Sequence, residues 1–154
     1  MNALRRNVLK GTAGVGALSV AAAAGLLKPG QVLADWNQAA FDAKKVPDAL
    51  AAIGASSAAN TDNIIVKAPD IAENGASVPI EVTVNMPDVD SIYILAEKNV
   101  FPLIVDFKVT DFGGFMATRI KMAQTADVRV IAKAGGKVWT AAKEVKVTIG
   151  GCGG

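Results

Sequence analysis

The single cysteine of the chain, Cys152, lies near the C-terminus in the stretch GGCGG. A cysteine thiolate is a nucleophile, so a thiol can carry a group covalently or pair with a second thiol. Its four nearest neighbours have no side chain that would shield the sulfur, and glycine has the widest backbone freedom of any residue. These neighbours are Gly150, Gly151, Gly153 and Gly154. The stretch therefore predicts an accessible thiol on a flexible arm.

The sequence around the thiol gives no sign of activation. A cysteine of low pKa needs a nearby cation or a helix N-terminus, and the nearest basic residue is Lys146, six positions away. An accessible but unactivated thiol suits a handle, onto which other proteins load a group and from which they remove it. The alternative is an intermolecular disulfide, since an odd cysteine in an exported protein often pairs between molecules.

The composition excludes most catalytic machinery. The 154 residues include no histidine and one cysteine. A Ser-His-Asp triad, a Cys-His dyad, a histidine-rich zinc site and a thiolate cluster are therefore excluded within this chain. Three other stretches are better interpreted as structure: DFGG from Asp111 as a turn, Asp88 with Asp90 as a solvated loop, and Met116 with Met122 as core.

The first 34 residues have the features of an export signal. Arg5 and Arg6 are adjacent, and a weakly hydrophobic run rich in alanine and glycine follows from Gly11 to Leu27. Val32-Leu33-Ala34 then offers the small-residue pattern that signal peptidase cleaves. The segment resembles a twin-arginine signal. An ordinary Sec signal or an uncleaved N-terminal helix is the alternative. We therefore expect periplasmic localisation after export of the folded protein.

The basic character of the chain belongs to this segment. Residues 1–34 hold four of the 16 lysines and arginines and none of the 14 acids, so the remaining chain has 12 basic and 14 acidic residues, a net charge of −2. Nothing in such a chain suggests a nucleic-acid surface. A membrane anchor is not expected, because Lys10 and the glycines dilute the apolar run.

The remaining chain divides into a helical segment and an all-β segment. Asp35 to Gly54 has a helical pattern that Pro47 interrupts, which predicts two short helices. Beyond it, apolar residues alternate with polar ones at the period of a half-buried strand. About seven strands are predicted: Asn63–Lys67, Val78–Val84, Ile92–Ala96, Leu103–Val109, Phe115–Met122, Val128–Lys133 and Glu144–Ile149.

This pattern predicts a mainly β fold. Evenly spaced strands without intervening helices favour an antiparallel β-sandwich of immunoglobulin-like type, behind a short N-terminal helical segment. A small Greek-key barrel is the competing topology. The predicted organisation is a signal at 1–34, a sandwich at 35–149 with Tyr93 and Trp139 packed inside, and a flexible arm at 150–154.

The signal, the helical segment, the β domain and the terminus VKVTIGGCGG together resemble the SoxY family. These proteins are the sulfur-carrier subunits of the periplasmic Sox system, which oxidises thiosulfate. GGCGG at the end of the chain is the most specific part of the resemblance. It implies that Cys152 carries sulfur intermediates covalently, and that the chain is a non-catalytic subunit without a cofactor.

The resemblance also implies partners. A SoxZ-like β-sandwich subunit would form a heterodimer with the chain and be exported with it, which accounts for the twin-arginine route. The c-type cytochrome SoxAX, the hydrolase SoxB and the sulfur dehydrogenase SoxCD would act on the arm in turn. Exposed apolar positions between Phe101 and Phe115 are the candidates for the subunit contact.

Two other classes of protein remain open. One is an exported structural or adhesive module whose cysteine forms an intermolecular disulfide. The other is a ubiquitin-like sulfur carrier that activates its terminal Gly153-Gly154 as an acyl adenylate, although the signal and the all-β pattern count against it. The atom that bears sulfur separates the two kinds of carrier: the thiol of Cys152 or the terminal carboxylate.

Overall fold

The computed structural model describes residues 37–148. Two short helices come first, α1 (Gln38–Asp42) and α2 (Val46–Ala52). The strands that follow are β1 (Ala59–Asn60), β2 (Ile64–Lys67), β3 (Ile71–Ala72), β4 (Val78–Val84), β5 (Val89–Ala96), β6 (Leu103–Lys108), β7 (Phe115–Ile120), β8 (Ala126–Ala134) and β9 (Lys137–Val147).

The two short helices confirm the predicted helical segment, and local side chains set where each begins and ends. The Asn37 side chain caps α1 by accepting a hydrogen bond from the Ala40 amide at 3.2 Å. Pro47 occupies the first turn of α2, where its missing N–H costs nothing. Gly54, with φ of 67°, follows the end of α2. The Asn37 amide also donates to the Ala52 carbonyl at 3.0 Å, so one side chain joins the start of α1 to the end of α2.

The strands form two sheets. The larger has the order β1-β9-β8-β5-β6, with β3 also paired to β9, and the smaller has the order β2-β4-β7. In β4, Val78, Ile80, Val82 and Val84 are buried, while Pro79 and Glu81 are exposed. This alternation is what a strand with one face on a core requires.

A single apolar cluster lies between the sheets. The small sheet contributes the buried side chains of β4 with Ile64 and Ile120, and the large sheet contributes Ile92, Ile94, Ala96, Val128, Val130, Ala132 and Val145. Met122 is buried in this cluster and Met116 packs against it, which confirms that both methionines are core residues. Two separate sheets that share one core confirm the sandwich over the barrel.

A second cluster covers the other face of the large sheet. Ala40, Ala49 and Ile53 from the helical segment pack on Leu95, Leu103, Ile131 and Tyr93. Tyr93 thus lies beneath the helices and not between the sheets, whereas Trp139 does pack against the inter-sheet core. The central strand β5 is buried on both faces from Ser91 to Ala96, so the sequence pattern could not show which face Tyr93 occupies.

The last strand differs from its prediction. It begins at Lys137 and not at Glu144, because Gly135 and Gly136 have positive φ and form a two-residue hairpin turn after β8. It ends at Val147 and not at Ile149. Two further strands were not predicted: β1 and β3 have two residues each and pair with β9 in parallel.

Candidate functional site

The predicted site residues lie outside the described part of the chain. Cys152, its four flanking glycines and the Arg5-Arg6 pair are not among residues 37–148. The structure does describe the place where the predicted arm is attached, which is the end of β9.

Four loops meet at the end of the sandwich where β9 finishes. Ala126 at the start of β8 pairs with Val145, and Ala96 at the end of β5 pairs with Val128. The loops β2–β3, β3–β4, β5–β6 and β7–β8 are consequently at this end, which we call the arm end.

The final residues of β9 are held on both edges. On one edge, the Lys146 amide donates to the Asp70 carbonyl at 3.0 Å and the Thr148 amide donates to the Ala72 carbonyl at 3.1 Å. On the other edge, the Thr125 hydroxyl accepts from the Val147 amide at 2.9 Å and donates to the Val147 carbonyl at 3.4 Å. We call Asp70, Ala72 and Thr125 the clamp. It holds the backbone as far as Thr148.

The β7–β8 loop that carries Thr125 is itself braced. The Asn99 side chain donates to the Lys121 carbonyl at 2.7 Å and accepts from the Ala123 amide at 2.9 Å. The Gln124 side chain donates to the Lys98 carbonyl at 3.2 Å. These bonds join the β5–β6 loop to the β7–β8 loop, so neither loop can shift alone.

Two ion pairs belong to the same end. The Lys143 ammonium lies 3.0 Å from the Asp70 carboxylate and donates to the Ala68 carbonyl at 2.8 Å, which fixes the β2–β3 loop against β9. Arg129 donates to Glu97 at 2.6 Å. Because the Asp70 side chain is almost fully exposed, its pair with Lys143 contributes little beyond the bond to the carbonyl.

A recess of about 320 Å³ opens between the braced loops. Its lining is mainly apolar and carries one cation: Asn99, Val100, Phe101, Lys121 and Ala123. Within residues 37–148, no group of histidine, cysteine or acidic residues has the arrangement of a metal site. In the same range, no helix is long and apolar enough to cross a bilayer.

Gly75 occupies a position with no space for a side chain. The Met122 amide donates to the Gly75 carbonyl at 2.7 Å. A Cβ at this position would lie 2.4 Å from the Met122 carbonyl oxygen and 2.8 Å from a Val147 methyl. The β3–β4 turn therefore touches both the β7–β8 loop and the end of β9.

The Gly75→Ala variant is expected to be less stable by about 1–3 kcal/mol, the usual range for overpacking. The added methyl group must displace a backbone carbonyl, which cannot rotate away as a side chain can. Denaturant unfolding would measure the loss. Gly113→Ala is the matched control, because a Cβ there meets nothing within 4 Å; an equal loss in both variants would contradict the steric explanation.

The sequence predicts the arm but not the way in which its attachment is held. The clamp residues were missed because a threonine in a polar loop and a two-residue strand give no periodic signal. Gly75 stands in the stretch ENG between two strands, which is typical of a turn. That signal does not show that the turn touches Met122 and Val147.

These features define a class of protein: a helix-flanked β-sandwich whose last strand is anchored on both edges just before a glycine-rich cysteine terminus. A family model described as sulfur oxidation protein SoxY matches residues 49–152. A solved structure of the sulfur carrier protein SoxY from Chlorobium limicola f thiosulfatophilum is 39% identical. It superposes with a TM-score of 0.62 over 70% of this chain and 96% of that chain. The chain belongs to the SoxY family.

Other similarities are weaker. Two variants of the superoxide reductase (neelaredoxin) from Ignicoccus hospitalis are 15% and 19% identical, with TM-scores of 0.46 and 0.47. They are covered over 80% and 92% of their length by 56% and 66% of this chain. No curated protein matches the sequence significantly.

Proposed function

We propose that the chain carries the intermediates of thiosulfate oxidation covalently on the thiol of Cys152. The observation that carries this proposal is the family match, which ends at Cys152 itself. The described structure supports it from the other side, because β9 ends at Val147 and its hydrogen bonds continue to Thr148, the last residue that the structure describes. Cys152 lies four positions beyond Thr148, so its Cα can reach at most about 14 Å from that anchor.

The proposed cycle begins with loading. The thiol of Cys152 joins the sulfane sulfur of thiosulfate to form a cysteine S-thiosulfonate, with loss of one proton and two electrons. A c-type cytochrome of the SoxAX kind accepts the electrons. A SoxB-like hydrolase then adds water at the terminal sulfonate, which leaves as sulfate and leaves a persulfide on the arm.

The cycle ends with removal of the remaining sulfur. A SoxCD-like dehydrogenase oxidises the outer persulfide sulfur to a sulfonate, taking six electrons and adding three oxygen atoms from water. A second hydrolysis releases sulfate and restores the thiol. Every redox step belongs to a partner, so this chain needs only to present the sulfur. A composition without histidine agrees with that role.

The export route and the subunit partner form part of the same proposal. Residues 1–34 direct the folded protein to the periplasm by the twin-arginine route, and a SoxZ-like subunit accompanies it. Between Phe101 and Phe115, three aromatic side chains leave about half of their surface in water: Phe101 (48%), Phe107 (49%) and Phe115 (55%). This exposure supports the region as the candidate for the subunit contact.

The intact mass of the exported protein from thiosulfate-grown cells tests the carrier proposal. We expect added masses of sulfur or of sulfur oxyanions that disappear on reduction and are absent from Cys152→Ser. The wild-type protein from cells grown without thiosulfate is the control. A bare thiol or a simple disulfide dimer under every condition would contradict the proposal and favour an exported structural module.

A further inference from the structure

The antiparallel ladder between β8 and β9 stops before β9 does. Its last pair is Ala126 with Val145. Beyond it, the Thr125 hydroxyl bonds both the N–H and the C=O of Val147. One side chain thus takes the place of a ladder partner for the Val147 amide at 2.9 Å, and makes a longer contact of 3.4 Å with the Val147 carbonyl, since a hydroxyl both donates and accepts.

The opposite edge gives this segment only limited support. There β3 pairs over two residues, Ile71 with Lys146 and Ala72 with Val147. A parallel pair is slightly less stable per residue than an antiparallel one. Without the Thr125 hydroxyl, the end of β9 would keep its backbone bonds to Asp70 and Ala72 and the packing of the Val147 side chain, but would lose its bonds on the β8 edge.

Contacts that do not involve β9 hold the loop that carries the Thr125 hydroxyl. Its loop is held by the two hydrogen bonds of the Asn99 side chain and by the hydrogen bond of the Gln124 side chain. The bond from the Met122 amide to the Gly75 carbonyl holds it as well. A group supported by a second layer of hydrogen bonds keeps its geometry without help from its own partner.

We propose that Thr125 is a positioning residue that sets the working length of the arm. This inference rests on the proposed carrier function. With the clamp closed, the arm begins after Thr148 and Cys152 lies at most about 14 Å from its anchor. If the end of β9 detached as far as Val145, Cys152 would lie seven positions beyond the anchor, a reach of about 25 Å.

The shorter arm keeps the thiol at a higher local concentration near the domain. Effective concentration falls roughly as the −3/2 power of tether length once the tether can span its target. Lengthening from four residues to seven would therefore lower it about twofold at a site beside the docked domain. The clamp thus limits the volume that the thiol can reach and keeps its effective concentration near the domain high.

Backbone amide exchange tests whether Thr125 holds the end of β9. Thr125→Val removes the hydroxyl and keeps the shape of the side chain. We expect the Val147 amide to exchange about two- to tenfold faster. This is the factor by which the loss of one ordinary hydrogen bond raises the equilibrium constant for local opening. Thr125→Ser keeps the hydroxyl and should restore the parental rate.

Thr140→Val is the matched control. It removes another hydroxyl bond on the same strand, from Thr140 to the Val130 carbonyl at 3.1 Å, in a buried position away from the arm end. We expect it to leave the exchange of Val147 unchanged. Equal exchange in Thr125→Val and the parent, or an equal rise in Thr140→Val, would overturn the proposal.

The reach of the arm is measured separately with two thiol reagents on the full chain. The domain hinders a bulky polyethylene-glycol maleimide more than it hinders iodoacetamide. The rate of the maleimide with Cys152, divided by the rate of iodoacetamide, therefore reports how far the thiol lies from the surface of the domain. We expect the ratio to rise in Thr125→Val and to remain parental in Thr125→Ser and Thr140→Val. An unchanged ratio in Thr125→Val would overturn the inference about length.

Neither readout requires a sulfur adduct. If the carrier function is wrong, adducts are absent from every variant while the exchange and the rate ratio still respond to Thr125. If only the proposed role of Thr125 is wrong, the parent carries adducts normally and Thr125→Val behaves as the parent in both measurements. The two failures are therefore distinguishable.

Discussion

Cells in which Cys152→Ser is the only copy of this chain are expected to form no sulfate from thiosulfate. A serine hydroxyl does not ionise to a soft nucleophile at neutral pH, so it cannot form the bond to sulfur on which every later step depends. The family match extends through this position and includes no second cysteine, because the chain has none. Sulfate release by washed cells would measure the loss.

The interpretation depends on an intact fold. The substitution lies four positions beyond Thr148 and outside both described core clusters, so we expect the unfolding midpoint of the Cys152→Ser variant to equal that of the parent. The level of exported protein should also be unchanged. Sulfate formation at the parental rate would exclude the thiol as the carrier and leave the terminal carboxylate or a structural role.

Ile80→Ala is expected to lower the free energy of unfolding by about 2–5 kcal/mol, the range for removing a large aliphatic side chain from a core. Ile80 is fully buried in β4, the central strand of the small sheet, where it faces the residues of the large sheet. The loss combines the transfer of apolar surface with the cavity that remains. Urea unfolding with an unchanged slope would measure it.

Ile65→Ala is the matched control for this prediction. Ile65 lies in β2 of the same small sheet but leaves 42% of its surface in water. Truncation there leaves no enclosed cavity, so we expect a loss below about 1 kcal/mol. Similar losses in the two variants would show that the inter-sheet core is not the main source of stability.

The sandwich could be predicted because most of its strands have one wet face. The alternation in β4, with valine and isoleucine buried and Glu81 exposed, survives in the structure residue for residue. Where a strand is buried on both faces, the pattern carries less information. In β5 it showed a strand but could not show that Tyr93 faces the helices and Ile94 the other sheet.

The rest of the arm end could not be predicted, because its contacts are neither periodic nor local. The Thr125 hydroxyl contacts Val147, 22 positions away. The Thr148 amide donates to the Ala72 carbonyl, 76 positions away. The sequence predicts an accessible thiol on a flexible glycine tail, and this stays a prediction. The described residues show only the strand end to which the tail is attached.

The pairing at the end of β9 also decides how this domain responds to a pull. Hydrogen bonds of an antiparallel ladder run perpendicular to the strand, and β9 has β8 along one edge and the short β3 along the other. Tension applied along the strand at its C-terminus therefore loads many bonds in shear at once and does not peel them open one by one. A pull on the chain beyond Val147 would therefore be resisted by the whole length of the β8–β9 ladder, so the sandwich would keep its shape under a load that opens a strand held at one end.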